Sequence, residues 1–324
     1  TTYVTSTPPD LRVGSDALAE ALAGRSAGLL AYPAQSNFTG VQHPLEWVDL
    51  AHAHGMDVLL DCAAYLPTNP LDLSAVQPDF VTVSWYKVFG YPTGVGCMVA
   101  RKDALLRLRR PWFSGGTILA VSVRGDWHWP ADDESGFEDG TLNFLHIPDV
   151  EVGLDWINSV GIGAIQRRVR GLTEVMLERL TGLRHTGGEP MVLLHGPRDT
   201  VARGGTIALS LLDPRGRPVD ERLVARASAA AGISLRTGCF CNPGAGEDAF
   251  GLTEQVLEGA QAAWGARAID DYLAGVGMLT GGAVRVSLGI ASNLADVERF
   301  IEFVEVAYRD REVSVTGLEP RGRC

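Results

Sequence analysis

The sequence predicts an α/β protein, with a large domain on a mostly parallel sheet followed by a smaller α/β domain. Three observations predict it. Short continuous runs of β-branched and other apolar residues, the pattern of strands buried on both faces, alternate with amphipathic stretches. A long helical region over 147–183 then interrupts the alternation. After it, strand-like and helix-like segments resume on a smaller scale. The large domain is expected over 1–184, the small domain over 185–316, and a polar, frayed tail over 317–324.

Each element has a local reason. Residues 28–32 (GLLAY) read as a buried strand. Residues 44–54 read as a helix whose apolar stripe is Leu45, Val48, Leu50 and Ala51. The runs DVLL (57–60) and FVTVS (80–84) are the next strands, and VGCMVA (95–100) follows a Gly-Pro-rich turn. The 147–183 region is expected to be two helices broken near Gly161 and Gly163. Residues 206–211 (TIALSL) and 284–288 (VRVSL) read as strands, and 219–231 and 294–308 as helices. There is no internal repeat and no low-complexity tract.

Composition narrows the functional classes. The chain has 324 residues, 46% hydrophobic and 21% charged, which is enough for one large or two smaller cores. A net charge of -11 argues against general nucleic-acid or anionic-membrane binding, which needs clustered positive charge. The basic run over 101–110 reads as a solvated helix face. No run approaches the roughly 20 apolar residues of a membrane helix. The opening TTYVTSTPPD has neither the basic start nor the apolar run of a signal peptide. Five cysteines, an odd and sparse set, do not form a disulfide framework, so a reducing cytoplasm is expected. Cys62 and Cys97 sit in apolar strand contexts and read as packing residues. Cys324 lies in the tail, while Cys239 and Cys241 share a short polar loop.

The first chemical constellation is Asp61 with Lys87. Asp61 ends one strand and Lys87 follows its neighbour, so both fall at the strand ends where open α/β sheets bind ligands. A carboxylate and an amine there suit a pyridine-aldehyde cofactor: one pairs with the ring nitrogen, the other forms the imine. Ser84 and the following glycine turn suit a phosphate. On spacing alone, a lysine snorkelling to solvent is the favoured reading of Lys87. The second constellation is the loop over 236–244, RTGCFCNPG. A cysteine there can be exposed and mobile, as a sulfur-accepting thiolate must be. Arg236 suits a substrate carboxylate held in a bidentate pair. Cys239 and Cys241 also fit a zinc half-site, but His185 and His195 show no ligand spacing to complete it, so no metal is expected. His52 and His54 point to different helix faces and read as solvent-facing.

The segments YPAQSNFTG, LLDCAAY, DFVTVSWYKVFGYPTGVG, FEDGT and LRTGCFCNPGA together resemble the class V aminotransferase group of pyridoxal-phosphate (PLP) enzymes. Within it, they resemble the cysteine-desulfurase-like domain of molybdenum cofactor sulfurases, over residues 29–302. The resemblance implies the PLP-dependent transferase fold type I. It places the Schiff-base lysine at Lys87, the pyridine-binding aspartate at Asp61 and the sulfur-accepting nucleophile at Cys241. It implies that Asn37 touches cofactor or substrate, that Arg285 is a second carboxylate-binding arginine, and that Gly115, Gly116 and Thr117 form a loop reaching the phosphate of a partner subunit's cofactor. A strand arginine paired to an acid is the other reading of Arg285; a turn asparagine and a plain surface turn are those of Asn37 and the loop. Where desulfurases often carry glutamine, three residues after the aspartate, this chain has Ala64, as the sulfurase branch has a small residue. The implied substrate is L-cysteine, the implied acceptor one such as molybdenum cofactor, and the implied assembly a homodimer. In the family, chain before the equivalent of Leu29 supplies a ring that stacks on the cofactor and a cup for its phosphate. Nothing in 1–26 resembles either, so the large domain is expected to lack its N-terminal part. Two other readings stay open: another PLP reaction (transamination, β-elimination or epimerisation), or a sulfur-relay protein without cofactor.

Overall fold

Four strands form the sheet anticipated for residues 28–100: β1 (Gly28–Pro33), β2 (Met56–Asp61), β3 (Phe80–Ser84) and β4 (Gly96–Ala100). They lie in that order, the first three parallel and the fourth an antiparallel edge. The computed structural model in which they are seen describes residues 1–110, 112, 115–263, 268–312 and 314–321. Cys324 lies outside the described residues. Val58 and Leu60 of β2 are fully buried, as a central strand requires. The helix expected over 44–54 is shorter, Trp47–Ala53, and buries Trp47, Val48 and Ala51.

Two surface expectations change here. His52 is not solvent-facing: its Nε2 lies 2.9 Å from Asp79 Oδ2. Asp79 is buried at the head of β3 and also accepts the Val58 N–H, so it needs donors and the helix supplies one. The basic run is helical only over Lys102–Leu105. Arg107 reaches Asp57 at 2.7 Å and Arg110 reaches Asp139 at 2.5 Å, while most of the run is exposed to solvent as expected.

A hairpin, β5 (Ile118–Ser122) with β6 (Trp127–Pro130), was not anticipated. Its large apolar residues Leu119, Val121, Trp127 and Trp129 are exposed, so no buried face marks it in the sequence. The two helices beyond it, Pro148–Val160 and Ile162–Gly182, break at Gly161, whose φ of 87° only glycine adopts readily.

The remaining strands are β7 (Val192–His195), β8 (Thr206–Leu211), β9 (Arg236–Gly238) and β10 (Ala283–Ser287). Their order is β7-β8-β10-β9 and every pairing is antiparallel. The helix Leu294–Tyr308 opens with a capping box between Asn293 and Asp296 and buries Val297, Phe300, Ile301 and Val304.

The compact units do not divide at residue 184. One comprises Leu22–Ala34 and Pro44–Ile162; the other Thr1–Ala21, Gln35–His43 and Gly163–Cys324. Residues 35–43 join the second unit because the buried Arg203 donates to the Thr39 carbonyl at 2.8 Å and to that of Thr206 at 2.6 Å. Gly40 completes the seam: a Cβ there would fall 2.3 Å from the Thr206 carbonyl oxygen. The tail expected to fray from 317 is tied down through residue 321, because Arg321 bonds Asp220, Glu221 and Asp270.

Candidate active site

The first unit carries the amine and the carboxylate. β2 and β3 run parallel with Asp61 opposite Thr82, so both strands end at the same edge. Asp61 Oδ1 accepts the Ala63 N–H at 2.9 Å and the Thr82 hydroxyl at 3.1 Å. Oδ2 has no hydrogen-bond partner among the described residues. Thr82 was not singled out from sequence, although alternation in FVTVS puts it on the same side of the strand as Ser84.

Lys87 sits in a helix of five residues, Trp85–Phe89, that starts directly from β3. Such a helix is too short to hold itself. It is fixed by the burial of Val88, by Trp85 and Phe89 stacking at 6.0 Å, and by Gly90 in the left-handed conformation closing on the Tyr86 carbonyl. Phe89 packs against Gly153 so closely that a Cβ there would lie 2.4 Å from the ring. Lys87 itself is exposed and has no acid partner among the described residues. Ser84 precedes it at the N-cap with its hydroxyl making no cap bond.

This donor set fits PLP. An exposed amine without an acid partner, a carboxylate with one open oxygen and a hydroxyl come from adjacent strand ends, as the aldehyde, ring nitrogen and phosphate require. Of the predicted phosphate loop, Gly115 and Gly116 are exposed, whereas Thr117 is buried with its carbonyl accepting the Ala131 N–H. The Thr117 side chain is therefore part of the hairpin's base rather than a surface turn.

The second unit carries the thiol and the cations. β9 ends at Gly238, and residues 239–242 form a tight turn closed by the Asn242 N–H on the Cys239 carbonyl at 3.0 Å. Its two central residues, Phe240 and Cys241, both have φ of 57°, the left-handed pair that such a turn demands. Left-handed backbone costs a non-glycine residue roughly 1–2 kcal/mol, so something must hold it. Phe240 does: its ring is buried against Phe38 at 5.1 Å, in a cluster with Ala208 and Ala283. Arg285 lies over the Phe240 ring, 4.8 Å from its centroid. The anchored neighbour leaves Cys241 exposed, while Cys239 is half-buried.

Asn37 is the second anchor. Its Nδ2 donates to the Phe240 carbonyl at 2.8 Å, its Oδ1 accepts from Asn242 at 2.9 Å, and its carbonyl accepts from Arg285 at 2.8 Å. Its amide thus supports the cysteine turn on both sides. Asn242 also caps the helix Pro243–Phe250 through the Ala245 N–H. Asn-Pro at a helix start is the signal that could have found Asn242 in the sequence. Arg236 and Arg285 are direct partners across β9 and β10. Like charges opposite one another repel, an arrangement that a bound carboxylate relieves.

Two thiols are set apart. Burial, with the Asp61 charge beside it, pushes Cys62 up to about 12, and burial raises Cys97, so neither is a thiolate near neutrality. The histidines weighed as zinc ligands have other partners: His185 bonds the Leu212 carbonyl and His195 lies 2.8 Å from Ser210 Oγ. No cluster of metal-ligating side chains occurs among the described residues, and no helix there is long and apolar enough to cross a membrane.

The Aminotransferase class-V family model matches residues 6–300. Molybdenum cofactor sulfurase of Bos taurus is 34% identical over 297 residues, covering 87% of this chain and 33% of that protein. The Solanum lycopersicum sulfurase is 34% identical over 322 residues, covering 94% of this chain and 39% of its own length. The chain thus spans about a third of the length of the curated relatives it matches. Among solved structures, the apo cysteine desulfurase of Thermococcus onnurineus NA1 aligns with a TM-score of 0.70 at 22% identity, over 93% of this chain and 65% of that one. The cysteine desulfurase CsdA of Escherichia coli aligns with a TM-score of 0.65 at 21% identity, over 90% and 61%. These likenesses show the fold, the type I architecture that the sequence motifs implied.

Proposed function

Because this chain belongs to the class V aminotransferase family, we propose that it is a PLP-dependent cysteine desulfurase, taking sulfur from L-cysteine onto Cys241 and releasing alanine. The observation that carries this reading is the cysteine turn, whose left-handed backbone leaves the Cys241 thiol exposed just after β9, the strand on which Arg236 pairs with Arg285 of β10.

PLP, when bound, supplies an aldehyde that captures amines and a ring that accepts electrons from the substrate's Cα. Lys87 would hold it covalently, and its free amine would move the substrate's Cα proton as general base and acid. Asp61 Oδ2 would bind the pyridine nitrogen, with the Thr82 hydroxyl and the Ala63 N–H orienting the carboxylate through Oδ1. Ser84 would bind phosphate. Arg236 and Arg285 would clamp the substrate carboxylate and fix its orientation. The Cys241 thiolate would take the substrate sulfur: a sulfur–sulfur bond forms, the sulfur–Cβ bond breaks and leaves its electron pair with Cβ, Cβ takes up a proton to become the methyl group of alanine, and a persulfide stays on the protein.

The proposed acceptor is molybdenum cofactor, on the ground that the relatives at 34% identity are sulfurases of that cofactor. A cytoplasmic homodimer, with residues 115–117 at the partner's cofactor phosphate, completes the proposal.

Incubation with L-cysteine and PLP should yield alanine and a persulfide that maps to Cys241. Cys241→Ser should abolish the persulfide and Cys239→Ser should retain it; the reverse moves the nucleophile to Cys239. Pyruvate and ammonia in place of alanine would make the chain a β-eliminating lyase, and absence of an imine absorbance retained by the protein after free PLP is removed would leave a relay protein.

A further inference from the structure

Asp220 and Glu221 are consecutive carboxylates, and both are buried. Two such charges side by side in the interior are tolerated only with cations against them. Arg222 covers Asp220, with bonds of 2.9 and 2.8 Å. Glu221 depends on Arg321, from a segment far along the chain: Nε donates to Oε1 at 2.8 Å and Nη2 to Oε2 at 2.9 Å. Nη2 of Arg321 also reaches Asp220 at 2.9 Å, Nη1 reaches Asp270, and its backbone N–H donates to Asp270 at 2.9 Å. The Glu319 carbonyl accepts from Arg222 at 2.7 Å. Residues 319–321 are thereby latched onto the ends of two helices, Glu221–Ala230 and Ile269–Gly275.

The other side of Glu221 faces the approach to β10. Its Oε2 accepts the Thr280 hydroxyl at 2.7 Å and the Gly281 N–H at 2.8 Å. Gly281 is pressed against the latch, since a Cβ there would fall 2.6 Å from both Arg321 Nε and Glu221 Oε1. The next residue, Gly282, has φ of 145° and lies against Gly238, with room for no Cβ: the Gly238 carbonyl carbon would be 2.4 Å away. Gly238 is the last residue before the cysteine turn and pairs with Ala283 in register. The contacts Arg321–Glu221–Gly281, then Gly282–Gly238, are continuous, and each link is either a charged hydrogen bond or a backbone approach that leaves no slack.

We propose that Arg321 is a positioning residue for the cysteine turn: through Glu221 it holds residues 280–282 against Gly238 and so fixes the turn that presents Cys241. The proposal deepens the sulfur-transfer reading and rests on it for its catalytic arm only.

The test uses the whole chain with Arg321→Ala and Arg321→Lys. Amide hydrogen exchange over 237–242 should quicken roughly tenfold or more in Arg321→Ala, since the turn's root loses its support. Exchange in β2 and β3, and the visible absorbance on PLP titration, should not change. The rate of persulfide formation should fall with the turn's protection, and Arg321→Lys should recover part of both, because one ammonium cannot serve three carboxylates at once. Unchanged exchange over 237–242, with protection at 318–321 lost, would overturn the proposal. If Arg321→Ala fails to fold, the double change Glu221→Gln with Arg321→Gln removes one charge of each sign and leaves the net charge of the cluster unchanged, and the same exchange comparison decides. A wild-type chain that forms no persulfide would sink the sulfur-transfer reading while leaving the exchange result to judge the latch.

Discussion

At the scale of single residues, the site depends on a side chain that does no chemistry. Phe240 shares the left-handed backbone of Cys241, and its buried ring opposes that strain. Replacing it with alanine keeps the strain, roughly 1–2 kcal/mol, and removes packing worth roughly 3–5 kcal/mol. Phe240→Ala should therefore lower stability in urea by several kcal/mol and make Cys241 alkylation slower to saturate, with a spread of rates in place of one. Phe240→Gly should be destabilising too, but by about 1 kcal/mol less, because the strain goes with the ring; equal losses would show that the backbone is not strained. The residues proposed to take part in chemistry, Asp61, Lys87 and Cys241, could be singled out from the sequence, since each stands in a motif of fixed spacing. Phe240, Thr82 and Asn242 were not, because their work is done through contacts with Asn37, Phe38 and Asp61 that only folding brings together.

Elements repeat the lesson at larger size. Strands β1 to β3 and β8, and the helices Pro148–Val160, Ile162–Gly182 and Leu294–Tyr308, could be read because a buried face stamps its period on the sequence. The hairpin β5–β6, with its apolar side chains outward, and the helix Trp85–Phe89, with five residues, leave no such stamp. Yet that short helix holds Lys87, and its stability is borrowed from Gly153. Gly153→Val should force its methyl groups into Phe89 and cost roughly 1–3 kcal/mol by overpacking. PLP titration should show weakened cofactor retention in this variant, with persulfide chemistry lost in proportion. The paired change Gly153→Val with Phe89→Ala vacates the ring and should restore part of the affinity; no recovery would mean that Phe89 is not what positions Lys87.

On the scale of the whole molecule, stability hangs on buried polar groups, and these set its pH dependence. His195 is buried between Ser210 and Phe250, and burial pushes it down to about 4 from 6.5. The unfolded chain therefore binds a proton that the folded chain refuses between pH 6.5 and 4. Stability should be fully present above pH 6.5 and decline as pH falls, by roughly 3 kcal/mol at most from this group. Asp220 and Asp270 respond lower on the scale. Burial opposes ionisation of Asp220, but hydrogen bonds from Arg222 and the nearby Arg321 outweigh it; the Arg321 N–H and guanidinium hold Asp270 down. Their contribution is present above the ordinary carboxylate range, about pH 4, and is lost as pH falls through their lowered values. Urea unfolding across pH should thus show two declines, the first of which vanishes in His195→Gln, a side chain that still reaches Ser210 but does not titrate. A first decline that survives in His195→Gln would assign it to another group; the second decline, which Asp213 and Asp310 share, should become smaller in Arg321→Gln, and one of undiminished size would detach Asp220 and Asp270 from the latch that Arg321 forms.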